Sequence, residues 1–312
     1  MKKLLILFTA LCVLLSCGSQ DKPKVKILAH RGLCTTGVNF TTDENTLEAL
    51  RRAQEEGVDG VEFDVHLTAD DSLVIRHDNR IEEGLSCQGS NFEDIRAYVL
   101  PHGNRIPTLG EWLDQAKKTP EIKMMLELKA QGSEEREKLL VSKCLEEIRS
   151  RDMLDQMYML SFKSETLDEV LRQEPGMKVI LNSNSLHHSM LPEEVKAHGF
   201  QAVSYNVSVI LNHTDWIQQF REAGIETFMW MVNDVNLRKI AEDFGFDWIT
   251  TDFAQELKYR SPPVPGMMDQ DGIVPLVAAQ MSVDFGSEYA FVAQHHLDIS
   301  QVRAVLDQMC RE

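Results

Sequence analysis

Two apolar runs in this chain end in the same way. "ILAHRG" at 27–32 closes on His30 and Arg31, and "SLVIRHD" at 72–78 closes on His77. Between them, "VEFDVHLT" is interrupted by Glu62 and Asp64, and a later run, "IKMMLELK", carries Glu127 and Lys129. Alternate side chains of an extended strand share a face, so Glu62 and Asp64 point one way while Val61, Phe63 and Val65 point the other. Glu127 and Lys129 form the same kind of pair, with Leu126 and Leu128 opposite. His66 shares the parity of the acids, lacks a further partner in the pattern, and reads as polar rim structure. Three carboxylates converging from two strands repel one another and are costly to desolvate unless a cation offsets them. Oxygen donors suit a hard divalent ion, Mg²⁺ or Ca²⁺, better than zinc, and the histidines stay free to transfer protons near neutral pH. The competing account is a structural salt-bridge cluster of the same acids with Arg31 and Lys129; the recurrence at the ends of runs from different strands favours a functional site.

These residues need elements to hold them. From Val25 to about Leu257, short apolar runs alternate with amphipathic stretches. The strand candidates are "VKILAH", "GVEFDVHL", "SLVIRH", "IKMMLELK", "MYMLSF", "MKVILNS", "AVSYNV", "ETFMWMV" and "DWITTD". Helices are predicted at 43–56, 108–118, 133–150, 164–173, 191–198, 213–223 and 234–244. This alternation predicts parallel βαβ units closing into a (β/α)₈ barrel, whose functional groups gather at the C-terminal strand ends. Nine runs are one too many. "VEFDVHLT-ADD-SLVIRHD" has only a turn between its two runs, so it reads as a hairpin that folds His77 back beside Glu62 and Asp64. Residues 79–106, weakly periodic and bearing several Gly, Ser and Asn, read as an excursion from the barrel.

The 312 residues, 43% of them hydrophobic, suffice for one large barrel, and a formal net charge of −17 argues against nucleic acid or a broad basic membrane patch. The N-terminus carries Lys2, Lys3, an apolar run and "LLSC" ending at Cys17. It reads as an export signal over residues 1–16, and "LLSC" resembles a bacterial lipobox, in which the cysteine is lipidated. The expectation is a chain exported and lipid-anchored through Cys17 to a bacterial membrane, at its periplasmic face or the cell surface. Cys34 follows the first histidine and Cys87 the second, so these two either bridge their loops or stay as free thiols; no CxxC pair is present. After Lys258, "RSPPVPGMMDQDG" marks a linker, and 261–312 reads as a linker and C-terminal extension with one helix, "DISQVRAVLDQM", and no recognisable chemistry. The barrel is expected to occupy 17–260.

Taken in order, "AHRG", "DENTLEAL", "GVDGVEFDVHLTADDSLVIRHD", "IPTLGEWL", "LELK", "WMVND" and "ITTD" resemble the glycerophosphodiester phosphodiesterase family over residues 25–257. The resemblance implies a (β/α)₈ TIM barrel with a small insertion after the second histidine. It implies His30 and His77 as catalytic acid and base, Glu62, Asp64 and Glu127 as metal ligands, and Arg31 and Lys129 as phosphate contacts. Glu44 and Asn45 of "ENT" would face the same mouth, and Trp230 would line the glycerol end of the pocket. The implied reaction is metal-dependent hydrolysis of glycerophosphodiesters, such as glycerophosphocholine or glycerophosphoethanolamine, to glycerol-3-phosphate and an alcohol. Two alternatives stand beside it: a related lipid-headgroup phosphodiesterase acting on lysophospholipid or phosphoinositol diesters, and a surface lipoprotein that binds such ligands without turnover. The chain departs from the family pattern after His77, where it reads "NRIEEGLSCQGS", and after Asp252, where the common proline is missing.

Overall fold

The computed structural model describes residues 24–259 apart from 38, 186 and 188. The signal segment, Cys17 and the 261–312 extension lie outside the described residues. Eight parallel strands run in chain order: β1 (Lys26–Ala29), β2 (Gly60–Leu67), β3 (Lys123–Leu128), β4 (Met157–Ser161), β5 (Lys178–Ser183), β6 (Ala202–Asn206), β7 (Glu226–Trp230) and β8 (Trp248–Thr251). Each pairs with its neighbours, and β1 pairs with both β8 and β2, so the sheet closes on itself. The helices are α1 (Leu47–Glu56), α2 (Leu109–Ala116), α3 (Glu134–Ser150), α4 (Ser164–Gln173), α5 (Pro192–His198), α6 (Asp215–Glu222), α7 (Val235–Phe244) and α8 (Ala254–Tyr259). A short helix, Val207–Asn212, precedes α6 and was not marked by the sequence periodicity. The architecture is the expected (β/α)₈ barrel. Among the described residues no helix is long and apolar enough to cross a membrane.

The barrel interior is packed shut at its lower end. Leu28, Met125, Tyr158, Leu160, Ile180, Ala202, Phe228 and Trp248 form one buried cluster, with Phe228 and Trp248 stacked at 5.3 Å. Strand β2 contributes Gly60 at its inward position, where a Cβ would lie 2.8 Å from Leu28 Cδ1. The large neighbours therefore require a glycine there. Because side chains alternate, the next inward positions along each strand rise from this apolar floor into the mouth.

The ninth apolar run is the returning arm of a hairpin: Leu73–Ile75 lies antiparallel to β2, with Val65 opposite Ile75. The excursion that follows has a small core of its own, Val74, Cys87, Ile95, Leu100 and Ile106. It is anchored to α2 by a reciprocal capping box, Thr108 with Glu111, and Glu111 also accepts from both terminal nitrogens of Arg96 at 2.7 Å.

One expectation needs correction, and one open alternative is decided. The first helix starts at Leu47, not at 43, because Asn45 adopts a left-handed conformation (φ 56) and Thr46 caps the helix by accepting from the backbone N–H of Ala49. Glu44 and Asn45 are thereby left free to serve the barrel mouth. Cys34 and Cys87 are not bridged: both are buried free thiols, as is Cys144. Cys34 donates to the carbonyl of Arg31 at 3.4 Å, whereas Cys87 packs inside the excursion core and faces the carbonyl of Asp78 at 3.7 Å.

Candidate active site

Every strand-end residue that the sequence marked on β1, β2 and β3 meets in the mouth. Arg31 sits in the left-handed region (φ 55), with Gly32 behind it (φ 85), where a Cβ would press on Ala49 Cβ at 2.7 Å. That turn aims the Arg31 backbone N–H at Glu62 Oε2, 3.0 Å away. Its guanidinium donates to Glu44 Oε2 at 2.9 Å and lies 3.9 Å from Asp64 Oδ2. Asn45 clasps Asp64 from both sides: its Nδ2 donates to Asp64 Oδ2 at 2.7 Å, and its Oδ1 accepts the Asp64 backbone N–H at 3.1 Å. Lys129 donates to Asp64 Oδ1 at 2.8 Å and to Glu127 Oε1 at 2.5 Å. These partners explain why the short "ENT" segment belongs to the site.

Glu62, Asp64 and Glu127 are buried, and one oxygen of each lies within 4.8 Å of the others. Their electrostatics are uneven. Burial and then the charge of Asp64 push the Glu62 carboxyl up to about 8, and burial also raises Glu127. For Asp64 burial is overcome by Lys129, His77 and Arg31, which hold it well below the usual carboxylate range. The surroundings thus disfavour the charged forms of Glu62 and Glu127, and their ionisation calls for a further positive charge. A set of three carboxylate oxygens with uncompensated charge fits a hard divalent cation.

Both histidines are held through Nδ1 by an acid. His30 donates Nδ1–H to Asp252 Oδ1 at 2.7 Å, while its Nε2 lies 3.9 Å from Glu62 Oε2. Burial lowers the basicity of His30, but the bond to Asp252 and the charge of that acid outweigh it and raise the pKa. His77 Nδ1 lies 2.8 Å from Asp78 Oδ1, and burial lowers its pKa despite the attraction of Asp64. His66 has the structural place expected for it. Its Nδ1 accepts from Gln88 at 3.1 Å and its Nε2 donates to the His77 carbonyl at 3.0 Å, so it ties the excursion to the second histidine.

Trp230 ends β7 at the opposite wall, where its Nε1 donates to the Ser204 carbonyl at 3.0 Å and its ring meets Phe162 edge-on at 6.0 Å. Strand parity missed one partner of the site. Trp248 is in the barrel floor, so two further inward steps along β8 reach Thr250 and Asp252. Asp252 is in turn fixed by Asn233, whose Nδ2 donates at 2.7 Å and whose Oδ1 accepts the Asp252 backbone N–H at 2.9 Å. The signal was present in "WMVND" and "ITTD", but nothing local distinguished these polar residues from ordinary loop residues.

A closed parallel barrel with an acidic triad, an arginine, a lysine and two acid-anchored histidines at its C-terminal mouth defines an enzyme built for phosphoryl oxygens. Comparison with known proteins agrees. A model of the Glycerophosphoryl diester phosphodiesterase family matches residues 30–256. The chain is 26% identical over 255 residues to a glycerophosphodiester phosphodiesterase of Caldanaerobacter subterraneus subsp. tengcongensis, covering 75% of this chain and 96% of that one. It is 31% identical to a glycerophosphodiester phosphodiesterase of Parabacteroides distasonis whose crystal structure superposes with a TM-score of 0.70, over 75% of this chain and 95% of the other. An Oleispira antarctica phosphodiesterase, solved in complex with the product sn-glycerol-3-phosphate, shares the fold at 22% identity and a TM-score of 0.65, over 75% of this chain and 95% of that one. The chain belongs to the glycerophosphoryl diester phosphodiesterase family, and it is an enzyme that hydrolyses glycerophosphodiesters.

Proposed function

We propose that the enzyme cleaves diesters in which glycerol-3-phosphate is one half and a small alcohol such as choline or ethanolamine is the other, with His30 and His77 as the paired acid and base. The observation that carries this reading is the common design of the two histidines. Each is anchored through Nδ1 by a carboxylate, at 2.7 Å for Asp252 and 2.8 Å for Asp78. Each therefore leaves Nε2 for a proton on the reacting atoms.

Glu62, Asp64 and Glu127 would hold a divalent ion, Mg²⁺ or Ca²⁺. Such an ion would supply charge stabilisation to the phosphoryl oxygens. Arg31 and Lys129 offset the charge of the bound phosphodiester, so that a nucleophile can approach an anion. Glu44 keeps the guanidinium of Arg31 in place, and Asn45 fixes the orientation of Asp64. Trp230, with Phe162 against it, walls the far side of the mouth.

The export-type leader and "LLSC" support anchoring through a lipid on Cys17, with the barrel presented outside the cytoplasm. Metabolic labelling with a tritiated fatty acid tests that part: label should be present in the wild type and lost in Cys17→Ala. The activity is tested with purified protein and glycerophosphocholine, following choline and glycerol-3-phosphate together. Release of both in equal amounts is expected; release of phosphocholine and glycerol would place the cleavage at the wrong ester bond and sink the assignment.

A further inference from the structure

Strand β5 carries a polar side chain into the barrel that nothing in the mouth uses. Ile180 belongs to the barrel floor, so Asn182, two residues on, shares its inward face one step nearer the opening. In a closed barrel of eight strands, β5 stands four strands from β1 in either direction. Asn182 therefore stands across the mouth from His30 and Arg31, three strands from Glu62 and Asp64 and two from Glu127. Ser204 on β6 lies in register beside it, and the backbone carbonyl of Ser204 is the group that Trp230 binds.

Asn182 is 7% exposed, and its side-chain Oδ1 is buried with no hydrogen-bond partner. No hydrogen bond from its Nδ2 to another described residue is formed either. Other amides around the mouth are engaged: Asn45 with Asp64, Asn233 with Asp252, and Asn206 with the backbone and hydroxyl of Ser208. A buried acceptor left idle is a cost that folded proteins rarely carry without a use.

The chemistry of the amide selects its ligand. A carboxamide offers an acceptor oxygen and a donor nitrogen side by side. Phosphoryl oxygens of a diester only accept, the primary ammonium of ethanolamine only donates and a quaternary ammonium has no N–H, so each would leave half of the amide or all of it unused. Two neighbouring hydroxyls satisfy both ends: one O–H donates to Oδ1, and the other oxygen accepts from Nδ2. With the phosphoryl group drawn to the cations on β1 and β3, the part of the substrate extending across the mouth is an ester substituent. Of the two halves in the reading above, the glycerol half carries that pair of hydroxyls.

We propose that Asn182 is a specificity residue that binds the two free hydroxyls of the glycerol moiety. The assignment rests on the functional reading given above and deepens it. It accounts for a polar side chain at a position where a leucine would pack against the floor, and it makes recognition of the diol separable from recognition of the phosphoryl group.

The test compares two ligands that differ only in the diol, sn-glycerol 3-phosphate and propyl phosphate, by calorimetry on the full chain with Mg²⁺ present. Wild type should bind the glycerol ester more tightly. Asn182→Leu should weaken that binding about tenfold or more, in line with loss of two ordinary hydrogen bonds, and leave propyl phosphate within about twofold. The Tm of the variant should equal or exceed that of wild type, because an unsatisfied polar group has been replaced by an apolar one of similar size. Asn182→Ala should show the same selective loss. Equal losses for both ligands, no loss for either, or a large fall in Tm in both variants would overturn the proposal. Wild-type protein that binds neither phosphate would overturn the functional reading, and the assignment with it; wild-type binding unaltered by Asn182→Leu would overturn the assignment alone.

Discussion

His30 and Asp252 join the first and last strands of the barrel through one hydrogen bond, Nδ1–H to Oδ1 at 2.7 Å, and Asn233 holds the other carboxylate oxygen at 2.7 Å. The acid fixes which ring nitrogen carries the proton and where Nε2 points. Asp252→Asn keeps the shape but can present an N–H to Nδ1, which favours the opposite tautomer. The expected result is a fall in kcat of roughly 10²- to 10⁴-fold, the range for losing acid or base catalysis, with KM for glycerophosphocholine changed far less. Asn233→Ala should give a smaller loss in the same parameter. Steady-state kinetics on the two variants check this; a change confined to KM would show that Asp252 serves binding and not the orientation of His30.

The acidic triad predicts opposite effects on stability and on metal response. Glu62 is buried beside Asp64 and Glu127, and like charges at such spacing oppose folding. Glu62→Gln should therefore raise the Tm of the chelator-treated protein. The same change should shrink the rise in Tm that Mg²⁺ or Ca²⁺ produces in wild type, since a ligand that binds only the folded state stabilises it. Thermal scans with and without chelator measure both effects. Full activity of wild type in excess chelator would remove the metal from the mechanism.

Much of this arrangement was legible in the sequence, because it rests on periodicity. Strand parity placed Glu62 with Asp64 and Glu127 with Lys129 on the inner face, and the turn between residues 67 and 73 marked the returning arm that brings His77 home. The parts that stayed hidden depend on contacts distant in the chain. Asp252 is 222 residues from His30, and only closure of β8 onto β1 brings them together. The start of α1 turned on a single left-handed Asn45, a conformation that the helical pattern of its neighbours concealed. Cys34 and Cys87 occupy matching places after the two histidines, but the excursion folds Cys87 into its own core, away from the first loop.

Asp43 makes the excursion a part of the site. Its carboxylate accepts from the backbone N–H of His102 at 3.1 Å and from Asn104 Nδ2 at 2.9 Å, just before the Glu44 and Asn45 that serve the mouth. Burial alone would raise the carboxyl, but the bonds from Asn104 and His102 hold it below the ordinary value. An acid depressed in the folded state contributes stability above its unfolded pKa and loses it as pH falls through the folded value. Asp43→Asn should thus cost on the order of 1–3 kcal/mol at neutral pH, with the gap to wild type closing in the acid range below the ordinary carboxylate pKa. Urea midpoints measured across that range test it, and a gap independent of pH would mean that the charge is irrelevant.

The free thiols give a chemical check on the packing. Burial pushes Cys87 up to about 12 and raises Cys34 and Cys144 as well, so thiolate is scarce at all three. Native protein should resist iodoacetamide at these positions, and denatured protein should take up label at each without prior reduction. Label at Cys34 and Cys87 that appears only after a reductant is added would mean that the two are bridged after all.

The proposed reaction draws its nucleophile from the substrate. The glycerol half carries a hydroxyl next to the phosphoester, and intramolecular attack enjoys an effective concentration on the order of 10⁵ M or more when well oriented. In the reaction proposed above, one histidine would remove that hydroxyl's proton as its oxygen forms a bond to phosphorus. The bond to the alcohol would break, with the other histidine supplying the proton to the departing oxygen. Water would then open the cyclic glycerol phosphate, the histidines exchanging roles. His30→Ala and His77→Ala should each abolish release of the alcohol, and a diester lacking that hydroxyl should turn over far more slowly. Phosphorus NMR during a single turnover should show the cyclic species. A deoxy substrate cleaved at the normal rate, with no cyclic species detected, would make water the direct nucleophile.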